Sequence, residues 1–173
     1  MKKKNNAYMG DAIISKCGKY RYVLSRTWGG GREFVCFIML NPSTADAEKD
    51  DPTIRRCVSF AQRWGYSKLE VVNLFAWRTP YPGDFRGVAD PVGPDNDRYV
   101  LEALARATIV VAAWGRLEMA RPRAQVVTKI AEQMCKSLNS LGVTKSDCPR
   151  HPLYVRRDTV LKAYRGLARK SRP

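Results

Sequence analysis

Three apolar runs of strand length, separated by segments with helical periodicity, constrain this chain more than any other feature. Residues 34–40 (FVCFIML), 69–75 (LEVVNLF) and 108–114 (TIVVAAW) are almost continuously apolar instead of alternating. A strand solvated on one face alternates, whereas a strand covered on both faces does not. Helices stand between these runs. Asp51, Pro52 and Gly65 mark the cap, first turn and stop of one, with Ile54, Cys57, Val58 and Ala61 on its apolar face. A second is expected over residues 95–107. A third carries Val126, Val127, Ile130, Met134 and Leu138 at core spacing and ends at Gly142. Residues 143–148 supply the expected fourth strand. The alternation predicts an α/β fold, a three-layer α/β/α sandwich around a mostly parallel four-stranded central sheet.

Upstream, residues 20–28 (YRYVLSRTW) read as a strand that ends at Gly29-Gly30-Gly31, giving an N-terminal β-hairpin that leads into the first buried strand. A glycine tract can bring backbone amides close to a phosphate, but a plain turn is the commoner outcome. Residues 77–94 form a long loop rich in proline and glycine, and such loops in compact domains are usually functional or act as lids. After His151-Pro152 a basic helix is expected over residues 158–170, with Leu161, Tyr164 and Leu167 or Ala168 inward. Residues 1–173 read as one domain, with residues 1–10 a flexible basic N-terminus.

Charge indicates what such a domain would meet. Of 173 residues, 31 are Lys or Arg and 16 are Asp or Glu, a formal net charge of +15. Residues 119–173 hold 13 basic and 3 acidic side chains, so two-thirds of the excess lies in the last third of the chain. A strongly basic folded domain suits a polyanion, and nucleic acid is the commonest. With 45% hydrophobic residues and 4 Trp the chain can bury a core, unlike a disordered basic tail. No apolar run reaches the roughly 20 residues that span a bilayer. No apolar segment follows the lysines at the start, as it would in a signal peptide. The five cysteines form no CxxC pair and there is a single histidine, so neither a metal site nor a cofactor is expected. Cys36 and Cys57 read as core thiols. Reduced thiols fit a cytoplasmic protein, here expected to be a monomer without membrane association.

In open α/β sheets, ligands bind beyond the carboxyl ends of the strands. The first apolar strand ends in Leu40-Asn41-Pro42-Ser43-Thr44-Ala45-Asp46, the second in Asn73-Leu74-Phe75 and the third in Ala113-Trp114-Gly115. The fourth leads into Pro149-Arg150-His151-Pro152. Two asparagines, an indole and the only histidine would then share one edge. Each residue also has a plainer reading. Asn41 before proline is a common turn former. Phe75, Trp64, Trp77 and Trp114 stand where aromatics usually pack in a core.

These four segments, in this order, resemble the uracil-DNA glycosylase superfamily. IMLNPST (38–44) looks like its first motif, an apolar strand running into a turn with Asp or Asn before proline. EVVNLFAWRTP (70–80) is similar to the strand that ends in a base-reading asparagine. IVVAAWG (109–115) is similar to the strand that ends in Trp-Gly in some members, and RHPLYVR (150–156) resembles the His-Pro-Ser motif. The segment MLNPSTAD…DDPTIRR also resembles a family of small uncharacterised bacterial and phage proteins.

The first resemblance implies a monofunctional DNA glycosylase, with DNA as its partner. Cleaving an N-glycosidic bond passes through an oxocarbenium-like sugar, so a water must be placed on one face and the departing base stabilised. The resemblance assigns Asn41 to the water and His151 to the base oxygen, with Asp46 the nearest helper carboxylate and Asp50 and Asp51 further candidates. Asn73 would read the flipped base, with Pro42, Ser43, Phe75 and Trp114 around it. Leu153 and Tyr154 stand where the family places a wedge that fills the gap in the duplex. Lys145, Arg150, Arg156 and Arg157 would hold phosphates.

Two departures bear on the substrate. Leu153 replaces the serine after His-Pro, and Ser43 or Thr44 stands where efficient uracil-specific members carry a tyrosine. A roomier pocket is implied, suited to a larger or modified base as much as to uracil, in repair or in defence against phage with modified DNA. Two other readings remain open from the residues: a non-catalytic DNA-binding module of the same fold, and a metal-dependent nucleotide hydrolase using Asp46, Asp50 and Asp51.

Overall fold

A computed structural model describes residues 8–116 and 118–166. The fold is mixed α/β. Along the chain come β1 (Met9–Ile14), β2 (Arg21–Thr27), β3 (Phe34–Met39), α1 (Pro52–Arg63), β4 (Lys68–Asn73), α2 (Asn96–Arg106), β5 (Ile109–Ala112), α3 (Arg121–Gln133), β6 (Leu138–Ser140) and β7 (Lys162–Ala163). The strands form one seven-stranded sheet in the order β1-β2-β4-β3-β5-β6-β7. Neighbours among β4, β3, β5 and β6 pair parallel. The pairs β1–β2, β2–β4 and β6–β7 are antiparallel. The expected four-stranded sheet is therefore too small, because the N-terminal hairpin and β7 extend it at both edges.

β3 shows why the apolar runs do not alternate. All six of its side chains are buried. Val35, Phe37 and Met39 pack on one face with Ile54, Cys57, Val58 and Ala61 of α1. Phe34, Cys36 and Ile38 pack on the other with Val100, Ala103 and Leu104 of α2 and Ala124, Val127 and Ala131 of α3. The period-2 alternation of a strand sends successive residues into two separate cores. α1 is bounded as its sequence signals require. The Asp51 carboxylate accepts from the Ile54 amide at 2.8 Å, Pro52 opens the first turn, and Gly65 (φ +83°) lets the chain leave.

Several local expectations are corrected. The hairpin is formed by β1 and β2, not by β2 and β3, because both edges of β3 are taken by β4 and β5. β1 begins at Met9, so residues 9–10 are strand, while residues 1–7 lie outside the described residues. The glycine tract is the plain turn expected, packed on Ser67 at the end of the sheet away from the strand carboxyl termini; a Cβ at Gly31 would lie 2.6 Å from Ser67 Oγ.

The third helix stops at Gln133, where Cys135 takes φ 55°, so Leu138 belongs to β6 and the fourth parallel strand is 138–140. Only an isolated Val143–Pro149 bridge lies in the segment expected to be that strand. Residues 158–166 are not helical. Lys162–Ala163 extend the sheet, and the Tyr164 amide donates to the Leu138 carbonyl at 2.8 Å. Leu167 and Ala168 lie outside the described residues.

All five cysteines are free, and Cys36 and Cys57 are buried core thiols whose pKa is pushed up by burial. Among the described residues no helix is long and apolar enough to cross a membrane.

The segment between β3 and α1 is tied to β2 by a buried ion pair. Arg26 meets Asp50 at 2.8 Å, with both side chains almost fully buried, and Tyr8 donates its hydroxyl to the same carboxylate. Removing one partner leaves a buried uncompensated charge, so Asp50→Ala should lower stability by about 3–5 kcal/mol. Urea unfolding will check this, and an Arg26→Met, Asp50→Leu double variant should recover much of the loss.

Candidate active site

A cavity of about 290 Å³ opens beyond the carboxyl ends of β4, β3 and β5, beside the N-terminus of α1. Met39, Val71 and Ile54 give it an apolar wall. Asn41, Ser43, Asn73, Trp114, His151 and Tyr154 also line it, so residues from all four expected segments meet there.

Asn41 follows β3 directly. Its Nδ2 donates to the carbonyls of Thr79 at 2.7 Å and Pro42 at 3.0 Å. Both amide hydrogens are spent, and Oδ1 is left as an acceptor. Thr79 is itself held: its amide donates to Pro42 O at 2.9 Å and its hydroxyl to Asp84 at 2.8 Å. The proline-rich loop thus orients Asn41.

Asn73 ends β4 and shares the face of Val71, against α1. It is 1% exposed, and neither Nδ2 nor Oδ1 has a partner. A buried primary amide with all its valences unmet is costly and uncommon in native folds.

His151 is brought in by a glycine. Gly115, after β5, has φ +78° and donates its amide to Pro149 O at 3.0 Å; a Cβ there would stand 3.4 Å from the Cβ of His151. His151 Nδ1 accepts from the Leu153 amide at 3.3 Å, so in the neutral ring the proton sits on Nε2. Burial holds the imidazole pKa below the ordinary 6.5, with Asp51 opposing.

The single 3-10 turn Pro152–Tyr154 that follows is fastened to α1. Arg56 donates to the carbonyls of Pro152 and Val155. Arg56 was not singled out in the sequence, where it stands simply off the apolar face of its helix.

The remaining predicted residues divide. Trp114 is buried, edge-on to Tyr164 with centroids 5.7 Å apart. Tyr154 is 79% exposed and tilted against His151. Pro42 is buried beside Asn41 without lining the cavity. Phe75 packs in the core under α2 and α3, on the other side of the sheet, so it does not face the cavity. Trp64 stacks with Phe37 and Phe60, and Trp77 lies edge-on to Tyr20.

Asp46 turns away from the cavity and caps a turn, accepting from the amides of Lys49 and Glu48, which hold its carboxyl below its ordinary pKa. Asp50 is engaged by Arg26 and Tyr8, whereas Asp51 caps α1 and also lines the cavity. Among the described residues no group of three His, Cys, Asp or Glu could hold a metal.

Leu153 is exposed beside Arg55, Arg56 and Arg157 in a shallow groove. Arg150 and Arg156 line another groove with Tyr154, and Arg156 is paired with Asp158 through two hydrogen bonds of 3.1 Å. Lys145 is exposed.

Several cavity residues were not singled out in the sequence, among them Thr53, Thr79, Arg116 and Arg21, of which Arg21 is the buried cation. Arg21, at the start of β2, is 2% exposed and lines the cavity. Its Nη1 donates to Ala45 O at 2.7 Å, its Nε has no partner, and among the described residues no carboxylate lies within the 4.0 Å of an ion pair. Burial lowers its pKa to about 10, which leaves it charged at neutral pH. An arginine in the run YRYVLSR carries no sequence signal that tells a solvated side chain from a buried one.

Fold and site together define an α/β domain with a polar cavity at its strand ends. The chain belongs to the family described as protein of unknown function DUF1643, whose model matches residues 21–153. No curated protein and no solved structure matches it.

The depressed pKa of His151 ties stability to pH. The unfolded chain takes up the proton first, so the contribution is full above pH 6.5 and is lost as pH falls through the lowered value. The melting temperature of the wild type should therefore drop more between pH 7 and 5 than that of His151→Asn. Parallel curves would show that His151 is not held neutral.

Proposed function

We propose that the protein is a monofunctional DNA glycosylase that takes a damaged or modified base out of DNA and hydrolyses its N-glycosidic bond. The observation that carries this reading is the meeting of Asn41, Asn73, Trp114 and His151 around one cavity, with the buried amide of Asn73 unpaired. The free donor and acceptor of that amide suit the Watson–Crick edge of a flipped base. Parallel strands with helices on both faces also agree with the three-layer sandwich that the motif resemblance implies.

In this reading, Asn41 Oδ1 accepts a hydrogen bond from the attacking water and fixes its direction. The bond between C1′ and the base nitrogen breaks with its electron pair on the base. The water oxygen joins C1′, and the water proton finally resides on the released base, so no co-reactant is consumed. His151, neutral and with its proton on Nε2, donates to the base oxygen as negative charge builds there. A neutral donor suits this step, because the ring does not have to lose charge afterwards. Trp114 bounds the base laterally, and Tyr154 stands at the mouth, where a displaced nucleotide leaves its gap. Arg55, Arg56 and Arg157 line the separate groove beside Leu153, the residue before Tyr154, and suit the flanking phosphates.

Incubation with DNA carrying uracil, mismatches or modified bases, with and without chelator, followed by alkali, tests the reaction. Chelator-resistant abasic sites that are lost in Asn41→Ala and His151→Ala are expected. The loss should be roughly 100-fold or more, the scale of removing one aligned donor from such a site. Tight DNA binding with no release of any base, phage DNA included, would instead identify a binding module, and metal-dependent nucleotide hydrolysis would identify a nuclease-like enzyme.

The grip has its own test. Arg157→Glu should weaken DNA binding and flatten its salt dependence. Arg156→Glu should do less, since Asp158 already offsets that charge. Equal slopes for all three proteins would place the DNA on another face.

A further inference from the structure

The two buried arginines of β2 are treated differently by the fold. Arg26 is paired with Asp50 at 2.8 Å and also donates to the carbonyls of Ser25 and Asp46. Arg21 has one hydrogen bond, to Ala45 O, an unpartnered Nε and no carboxylate within ion-pair reach among the described residues. Yet it is Arg21 that lines the cavity. A guanidinium has five donors and no acceptor, so whatever completes it must offer acceptors. Asp51, which also lines the cavity, and Asp46 attract the guanidinium without coming within ion-pair distance, and a neutral carbonyl would add a hydrogen bond but no charge, so an anion in the cavity is what answers both.

The position of Arg21 separates it from the bond-breaking end. β2 lies beyond β4 and β3 from β5, whose end carries Trp114 and Gly115 beside His151. Three strand spacings amount to roughly 14 Å. With His151 and Asn41 at the sugar side and Asn73 between, Arg21 faces the far edge of an occupying base, where a substituent would project.

We propose that the cavity selects a nucleobase bearing an acidic substituent, a carboxylate being the group that fits the guanidinium, with Arg21 as its counter-ion. The inference rests on the glycosylase reading for the base, and on the unpaired Arg21 for the charge. Asn73 reads the ring while Arg21 reads the substituent, and the roomy first motif, with Ser43 on the cavity, leaves space for it.

The test is equilibrium binding, which needs no turnover. The full chain is titrated with 5-carboxyuracil and 5-carboxycytosine, with their 5-methyl counterparts and with uridine 5′-monophosphate, by calorimetry and thermal shift. The carboxylated bases should bind roughly 10- to 100-fold tighter than the methylated ones, the range of a charged hydrogen bond. Arg21→Met should lose that preference while binding the methylated bases as the wild type does, which shows the cavity intact, and Arg21→Lys should keep part of it. Equal binding of carboxylated and methylated bases by the wild type would overturn the proposal, as would a preference retained in Arg21→Met. Tighter binding of the nucleoside monophosphate would assign Arg21 to a phosphate and overturn it likewise.

Base release from DNA carrying the same carboxylated base is read in parallel. Arg21-dependent binding without release leaves the counter-ion assignment standing while the glycosylase reading fails. Release without any carboxylate preference does the reverse.

Discussion

Two buried arginines of β2 reach the chain between residues 41 and 51 beside the cavity, and Arg26 makes most of the attachments. Arg21 reaches the carbonyl of Ala45, while Arg26 reaches the carbonyl of Asp46 and the carboxylate of Asp50. This segment supplies Asn41, Ser43 and Asp51 to the cavity, and it has no regular secondary structure of its own. Loops normally satisfy their backbone groups with water. Here the carbonyls of Ala45 and Asp46 are met by buried guanidinium groups. The same charges create the asymmetry of the site, because Arg26 is ion-paired within the fold and Arg21, among the described residues, is not.

That asymmetry gathers groups with unmet demands around one cavity. Asn73 has an amide without partners, Arg21 a guanidinium without an ion pair among the described residues, and His151 an imidazole whose pKa burial lowers. Each is locally unfavourable, and each borders the same 290 Å³ of space. Unmet buried groups also occur elsewhere. Glu70 meets both Lys68 and Arg106, but Asn96, whose Nδ2 donates to the carbonyls of Asn73 and Leu74, keeps an unpartnered Oδ1, and Arg78 Nε and Thr128 Oγ1 have no partner either. What distinguishes the cavity is that a whole amide and part of a guanidinium face one open space, where a ligand of matching donors and acceptors would complete both.

How much of this was legible followed from how local each signal is. α1 was readable to the residue because its cap, first-turn proline and terminal glycine act within one turn of the chain. The three apolar strands were readable because burial on both faces leaves no alternation. β6 was not, since it spans only three residues and Leu138 also continues the helical spacing of Ile130 and Met134. The positive φ of Cys135, which ends that helix, has no marker in the sequence. Tyr164 and Leu161 suited an amphipathic helix equally well, and only the exposed edge of β6 makes the segment extend. At the site, the asparagines and His151 stood out because they end apolar strands. Phe75 stood beside them in sequence and shares the parity of Asn73, but β4 ends at Asn73, and beyond that point the chain turns Phe75 into the other core together with Leu74. Arg21 and Arg56 were hidden because their roles arise from what lies across the fold from them.

Charge illustrates the same limit and gives the site its direction. Counted along the chain, the excess lies in residues 119–173. Summed in space, it is differently placed. Arg156 is offset by Asp158, and Arg169, Lys170 and Arg172 lie outside the described residues. Beside the exposed Leu153, two of the three arginines, Arg55 and Arg56, come from α1. Their hydrogen bonds go to the carbonyls of Asp50, Pro152 and Val155, which orient the side chains without neutralising them. Arg56 therefore does two things at once: it fastens the turn after His151 and keeps a full positive charge at the surface. A phosphate drawn to that charge would settle next to the turn that positions the histidine. Backbone binding and placement of His151 would then share one side chain, and a substitution there cannot weaken one without disturbing the other.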